Sequence, residues 1–236
     1  MKLSLIVPMY NEASIIEATA KTYTDYLAKT FDSWELIFVD DGSADDCGAK
    51  VQALALPYTR VIRYTPNQGK GNAVKTGMLS ATGDVRMFLD ADVAYGTDVI
   101  AQAAKLFEKH PEASMVIGSR PLHPEGYAGY TAIRKLASKT YIKVLNVAGG
   151  FRLSDSQCGC KAYRGEAAQA IFSRTETKGF SFDFETILWA QKLGYKILEM
   201  PVTIINHRES KVNVVRDTFK MLKELEQIKK RVKRGS

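Results

Sequence analysis

Histidine and cysteine are both scarce, three of each in 236 residues, and their placement closes off several kinds of chemistry. The histidines (His110, His123, His207) lie far apart, and the cysteines (Cys47, Cys158, Cys160) form no C-x-x-C pair. That excludes the ligand spacing of a zinc site and offers no disulfide framework; an odd thiol count fits a reducing compartment. No apolar run approaches about 18 residues, so neither a signal peptide nor a spanning helix is expected. No Pro/Gly/Ser-rich linker, low-complexity stretch or internal repeat interrupts the chain. A single globular unit is therefore expected over residues 1–212, with 213–236 as a helical extension. The first apolar run leads into Pro8-Met9-Tyr10-Asn11-Glu12, not a G-x-G-x-x-G turn, which argues against a dinucleotide-dependent oxidoreductase. The G-x-x-x-x-G-K-[ST] spacing of a Walker ATPase is missing as well.

Positive charge is in excess at +7 but unevenly spread, with eight basic and three acidic residues between Val215 and Ser236. The remainder is close to neutral, so nucleic acid is not an expected partner; a cationic tail facing an anionic membrane surface is.

What the chain does contain is three acidic motifs in order, each closing an apolar run. Pro8–Glu12 follows Leu3–Val7, Asp40-Asp41-Gly42-Ser43 follows Trp34–Val39, and Asp90-Ala91-Asp92 follows Val85–Leu89. Such runs, separated by helical stretches, read as parallel strands buried on both faces. Strands are expected near 3–8, 35–40, 60–64, 85–90 and 114–118, with helices near 13–29, 44–54, 70–81 and 97–109. The fold class is α/β, a doubly wound, Rossmann-like, mostly parallel sheet flanked by helices. In such sheets ligands collect beyond the carboxyl ends of the strands. Carboxylates crowded there without a histidine point to a divalent cation, Mg2+ or Mn2+, held by Asp90 and Asp92 together with a phosphorylated ligand. The segment Asn67-Gln68-Gly69-Lys70-Gly71-Asn72-Ala73 permits close backbone approach and opens a helix.

After Arg120 the pattern changes. Pro121–Gly129 reads as loop, and residues 130–148 as a helix with Ile133, Leu136, Ala137, Thr140, Val144 and Val147 at helical spacing, a candidate membrane-interface helix. Phe182–Leu193 is a further helix and Tyr195–Ile205 an extended segment. The chain ends in a basic amphipathic helix carrying Val215, Phe219, Leu222, Leu225, Ile228 and Val232 on one face.

In this order and spacing, the three acidic motifs and the glycine segment resemble inverting glycosyltransferases of family 2, which have the GT-A fold. Gly118-Ser119-Arg120, Asp155-Ser156-Gln157-Cys158-Gly159-x-Lys161, Gly179-Phe180-Ser181-Phe182-Asp183-x-Glu185, Glu199-x-Pro201-Val202 and Ser210-Lys211-Val212 resemble its branch acting on polyprenyl (dolichyl or undecaprenyl) phosphates. The resemblance implies transfer of a hexose from a nucleotide-diphosphate sugar, UDP-glucose favoured and GDP-mannose the alternative, at the cytoplasmic face of a membrane. A family 2 transferase acting on polysaccharide or protein is the other option; it would need a catalytic carboxylate. Ala94 stands where some mannose synthases have Gln, which leans towards glucose.

By the same resemblance Pro8, Tyr10, Glu12, Asp40, Asp41 and Lys70 would bind the nucleotide, and Asp155 and Gln157 the sugar. Arg120, Arg134, Ser138, Arg208, Ser210 and Lys211 would hold the acceptor phosphate, and Asp92, Arg120, Arg134 and Arg208 would act on the reaction itself. Arg134 and Ser138 are one helical turn apart and so face the same way, and arginine suits bidentate phosphate capture.

Overall fold

A computed structural model describes residues 1–206 and 214–235, with side chains given for all of these except 214–223. Arg208, Ser210 and Lys211 therefore lie outside the described residues.

Seven strands form one sheet in the order β3-β2-β1-β4-β6-β5-β7. They are β1 (Leu3–Met9), β2 (Trp34–Asp40), β3 (Thr59–Arg63), β4 (Val85–Leu89), β5 (Ala113–Ser119), β6 (Cys160–Arg164) and β7 (Lys196–Pro201). Only β6 is reversed, antiparallel to both β4 and β5. The remaining strands run parallel, with Met9 opposite Asp40 and Asp40 opposite Arg63, so their carboxyl ends share one rim.

The helices are α1 (Ile16–Thr30), α2 (Cys47–Ala53), α3 (Lys70–Ser80), α4 (Asp98–Lys109), α5 (Ala132–Gly149), α6 (Gly165–Arg174), α7 (Phe182–Lys192) and α8 (Val214–Arg234). Strand residues alternate between two cores. Leu3, Leu5 and Val7 of β1 pack with Tyr23, Leu27, Ile100 and Phe107 from α1 and α4. Ile6 instead packs with Val74, Ile171, Phe172, Phe184 and Ile187 from α3, α6 and α7.

Two elements have no counterpart in the sequence reading, β6 and α6. Lys161, the second residue of β6, breaks the apolar run, yet it is fully buried; its ammonium pairs with Asp183 at 2.6 Å and donates to the Cys158 carbonyl at 2.7 Å. Helix α6 is short, but Ala167, Ala168, Ile171 and Phe172 are buried at helical spacing.

The two candidate surface helices differ. On α8, Leu225, Ile228 and Val232 belong to the second core, so this part of its apolar stripe packs inward and leaves Lys229, Lys230, Lys233 and Arg234 exposed. On α5 the expected apolar stripe faces outward: Ile133 is 83%, Leu136 67% and Val147 79% exposed. That helix is held to the body by Ile142 and Leu145. Among the described residues no helix is long and apolar enough to cross a membrane.

Candidate active site

The turns after β1 and β2 are stitched together by Asn11, which sits at φ 53°. Its amide donates to Ser43 Oγ at 3.0 Å, and its side-chain carbonyl accepts from Ala44 N at 2.8 Å. Pro8 is buried within β1, while Tyr10 projects from the rim at 44% exposure.

Asp40 and Asp41 are both buried. Asp40 Oδ1 accepts from Ser43 N at 2.9 Å, and Oδ2 lies 3.3 Å from Arg63 Nε. Asp41 accepts from Gln68 N and Gly69 N, each at 2.8 Å, and from Asn67 Nδ2 at 2.8 Å. This carboxylate thus fixes the glycine segment that opens α3.

That segment delivers Lys70 to Asp90, with Nζ 2.5 Å from Oδ1. Burial depresses the Lys70 ammonium, but Asp90, reinforced by Asp183 and Asp92, outweighs it and raises its pKa. The other Asp90 oxygen rests over Gly159, where a Cβ would collide with it. The turn carrying Asp90 and Asp92 is braced from α1: Thr19 Oγ1 donates to the Ala91 carbonyl at 2.6 Å and Tyr23 Oη to the Asp90 carbonyl at 3.1 Å. From the other side Asn206 donates to the Asp92 carbonyl at 2.6 Å. That contact places the residue just before His207 at the same turn.

Asp90 and Asp92 fit a divalent cation shared with a phosphorylated ligand. Both are hard oxygen donors, and Asp90 is set against bare backbone at Gly159. Burial, followed by repulsion from Asp90, raises the Asp92 carboxyl pKa. Among the described residues no cluster of three or more His, Cys, Asp or Glu side chains could hold a metal alone. The donor set is completed only by ligand oxygens and water, as Mg2+ bound to phosphates commonly is.

A second group lies beyond β5. Arg120, the residue after that strand, aims its fork at Asp155, with Nε to Oδ2 at 2.5 Å and Nη2 to Oδ1 at 2.9 Å. The Asp155 oxygens also accept from Arg120 N and Gln157 N. These two residues, expected to serve different substrates, are therefore one buried bidentate pair, because a fully buried carboxylate requires a counter-charge. Glu199 on β7 holds the turn beneath them, accepting from Ser154 N at 2.8 Å and Asp155 N at 3.2 Å.

The third nitrogen of Arg120 donates to Tyr130 Oη at 2.9 Å. The Tyr130 ring is stacked by the Arg134 guanidinium at 4.1 Å, and Lys135 lies over the neighbouring Tyr127 ring at 5.4 Å. Arg120 and Arg134 thus meet across a pair of tyrosines. Of the two arginines Arg134 is the exposed one; Lys135 is exposed as well and Ser138 partly so.

Several of these residues carried no role in the sequence reading. Glu199, Asp183 and Glu185 stand within quoted motifs, and the available signal was an acidic residue inside an otherwise apolar strand or helix. Tyr127 and Tyr130 gave none. The cysteines are free and buried; burial pushes Cys158 up to about 12 and raises Cys47 and Cys160, so none is poised as a nucleophile.

Residues 4–172 match the family profile described as "Glycosyl transferase family 2". The chain is 32% identical over 211 residues to a dolichyl-phosphate beta-glucosyltransferase of Trichomonas vaginalis, covering 85% of this chain and 64% of the relative. It is 29% identical over 221 residues to an undecaprenyl-phosphate mannosyltransferase of Micrococcus luteus, covering 90% of this chain and 88% of the relative. Among solved structures, glucosyl-3-phosphoglycerate synthase of Mycobacterium tuberculosis, in complex with Mn2+, UDP and phosphoglyceric acid, superposes with a TM-score of 0.73. That match has 18% identity and covers 98% of this chain and 78% of the other; the likeness is one of fold, the GT-A arrangement. The chain spans about two thirds of the length of the Trichomonas relatives it matches.

Proposed function

Because the chain belongs to glycosyl transferase family 2, we propose that it moves a hexose, glucose favoured, from a nucleotide-diphosphate sugar to a polyprenyl phosphate with inversion at C1. An acceptor phosphate oxygen attacks C1 and forms the new C–O bond. The bond from C1 to the diphosphate breaks, and the nucleoside diphosphate leaves with that electron pair. The acceptor is already an anion at neutral pH, so no side chain has to remove a proton from it. The task left to the protein is to align two phosphorylated substrates and neutralise their mutual repulsion.

One observation carries the reading: the glycine segment delivers Lys70 to the Asp90–Asp92 turn, while beyond β5 Arg120, Arg134 and Lys135 gather on Tyr127 and Tyr130. Asp90 and Asp92 would hold Mg2+ or Mn2+ with the diphosphate; the metal supplies charge stabilisation for the departing group. Lys70 would donate to a diphosphate oxygen, and Tyr10 and Glu12 would border the nucleotide. Asp40 and Asp41 act through the backbone they hold. Arg134 and Lys135 face the acceptor phosphate, while the Arg120–Asp155 pair, with Gln157, shapes the sugar pocket between the two. Arg208, Ser210 and Lys211 follow closely on Asn206 in sequence and are proposed as further acceptor ligands.

A hydroxyl acceptor on polysaccharide or protein would need a free carboxylate base. Asp155 and Asp183 are instead committed to Arg120 and Lys161, which disfavours that reading. Transfer of mannose from GDP-mannose is the second reading, favoured by the Micrococcus mannosyltransferase, which aligns over most of its length.

The exposed apolar stripe and the Lys135, Lys139 and Lys143 stripe of α5, together with the basic face of α8, support peripheral contact with an anionic cytoplasmic leaflet, where nucleotide sugars are available. The decisive assay supplies UDP-glucose or GDP-mannose, Mn2+ and a short polyprenyl phosphate, and detects the glycosyl lipid by mass. We expect product from UDP-glucose that is abolished by EDTA. Transfer only to a neutral hydroxyl acceptor would overturn the reading.

A further inference from the structure

The loop between α6 and α7, residues 175–181, is gripped from two sides. Its inner side lies directly on the glycine segment. Asn72 N donates to the Lys178 carbonyl at 3.2 Å, and Lys178 Nζ to Gln68 Oε1 at 2.9 Å. A Cβ on Gly69 would stand 2.6 Å from the Lys178 carbonyl oxygen, and one on Gly71 2.5 Å from that of Thr177. At both glycines backbone rests on backbone, so the position of the loop sets the position of the segment that presents Lys70 to Asp90.

The outer side is held by α8. Glu185, fully buried on α7, accepts from Thr177 N at 2.7 Å and Glu176 N at 3.2 Å, and among the described residues its remaining partner is Arg231 Nη1 at 3.1 Å. The same guanidinium pairs with Glu176 at 3.1 Å through Nε and reaches Thr177 Oγ1 at 3.3 Å. Two turns earlier on α8, Glu224 accepts from Ser181 Oγ at 2.7 Å, at the far end of the loop. Between these anchors Leu225 and Ile228 fix the helix to the core.

We propose that Arg231 is a positioning residue for the donor site, and that α8 is the outer jaw of a clamp whose inner jaw is the Gly69–Gly71 segment. The inference rests on the donor-site reading above. Without Arg231, Glu185 is a buried carboxylate with backbone amides as its partners. It then draws water or shifts, and the loop at Glu176–Thr177 moves with it. Lysine keeps the charge but cannot span three partners in one plane, so it restores the clamp only in part. A helix that merely covers the core would instead link donor affinity to stability alone.

The test compares Arg231→Met, Arg231→Lys and Ile228→Ala, the last loosening α8 in the core without touching the loop. Calorimetry with Mn2+·UDP-glucose gives the donor Kd, thermal melting gives Tm, and amide hydrogen exchange follows residues 68–72. For Arg231→Met we expect Kd to rise about tenfold, a loss of the size of one hydrogen bond. Exchange at 68–72 should be faster and the acceptor KM unchanged. Arg231→Lys should fall between Arg231→Met and wild type. Ile228→Ala should lower Tm yet hold Kd within about twofold. The proposal is overturned if wild type binds donor and Arg231→Met binds it equally well, or if Ile228→Ala weakens donor binding as much as Arg231→Met at equal Tm. Should Arg231→Met not fold, Arg231→Lys carries the test: a wild-type Kd and wild-type exchange at 68–72 would overturn the clamp. A wild-type protein that binds no nucleotide sugar removes the donor-site reading and the clamp with it.

Discussion

Arg120 and Arg134 serve two different ends around Tyr130. Arg120 is nine-tenths buried and bound face to face with Asp155. Burial works against its charge, but Asp155 more than offsets this and raises its pKa. Removing one partner of such a pair strands the other, at a typical loss of about 3–5 kcal/mol. Arg120→Met should therefore unfold at markedly lower denaturant concentration, with activity lost as a consequence. Arg134 is exposed and stacked on Tyr130, so Arg134→Ala should leave stability within about 0.5 kcal/mol. Its effect should appear in the acceptor KM or kcat, by about tenfold or more if a charge-assisted contact of about 1.5–3 kcal/mol is lost. Urea melts and donor titrations of both variants separate the two roles. A donor Kd weakened in Arg134→Ala would move that residue to the nucleotide side.

At the scale of elements, α5 makes the sharpest prediction. Ile133, Leu136 and Val147 project into solvent beside Lys135, Lys139 and Lys143. Each lysine near an anionic surface adds about 1 kcal/mol, and the apolar stripe adds insertion into the interface. The protein should sediment with anionic vesicles at low salt and be released as salt rises. Leu136→Ser should weaken this without changing the melt; equal recovery in the supernatant with neutral and anionic vesicles would contradict it. The legibility of the elements follows the same physics. Strands β1, β2 and β4 were readable because burial on both faces demands unbroken apolar runs, and the carboxylates at their ends stood out against those runs. β6 was not readable: Lys161 is a core residue only because Asp183, twenty-two positions on, neutralises it, and no local pattern shows a partner that distant. For the same reason Arg120 and Asp155 were each legible as site residues while their pairing was not. The stripe on α8 and that on α5 look alike in sequence; tertiary packing alone turns Leu225, Ile228 and Val232 inward.

Across the whole molecule, the sheet brings three acidic turns and one glycine segment to a single rim, and the segment between β5 and β6 adds the group built on Arg120, Arg134 and Lys135. We propose that rim as a metal-dependent nucleotide-diphosphate site. Metal stabilisation of a leaving group is worth several kcal/mol, so Asp92→Asn should lower turnover by roughly two to three orders of magnitude, but binding reports on the site more directly than turnover. The measurement is a calorimetric titration of UDP into wild type and Asp92→Asn, each with Mn2+ and with EDTA. A single site is expected in wild type with Mn2+, weakened at least tenfold by EDTA or by Asp92→Asn, while both proteins melt cooperatively. UDP binding of equal strength with and without metal, and in both proteins, would contradict it.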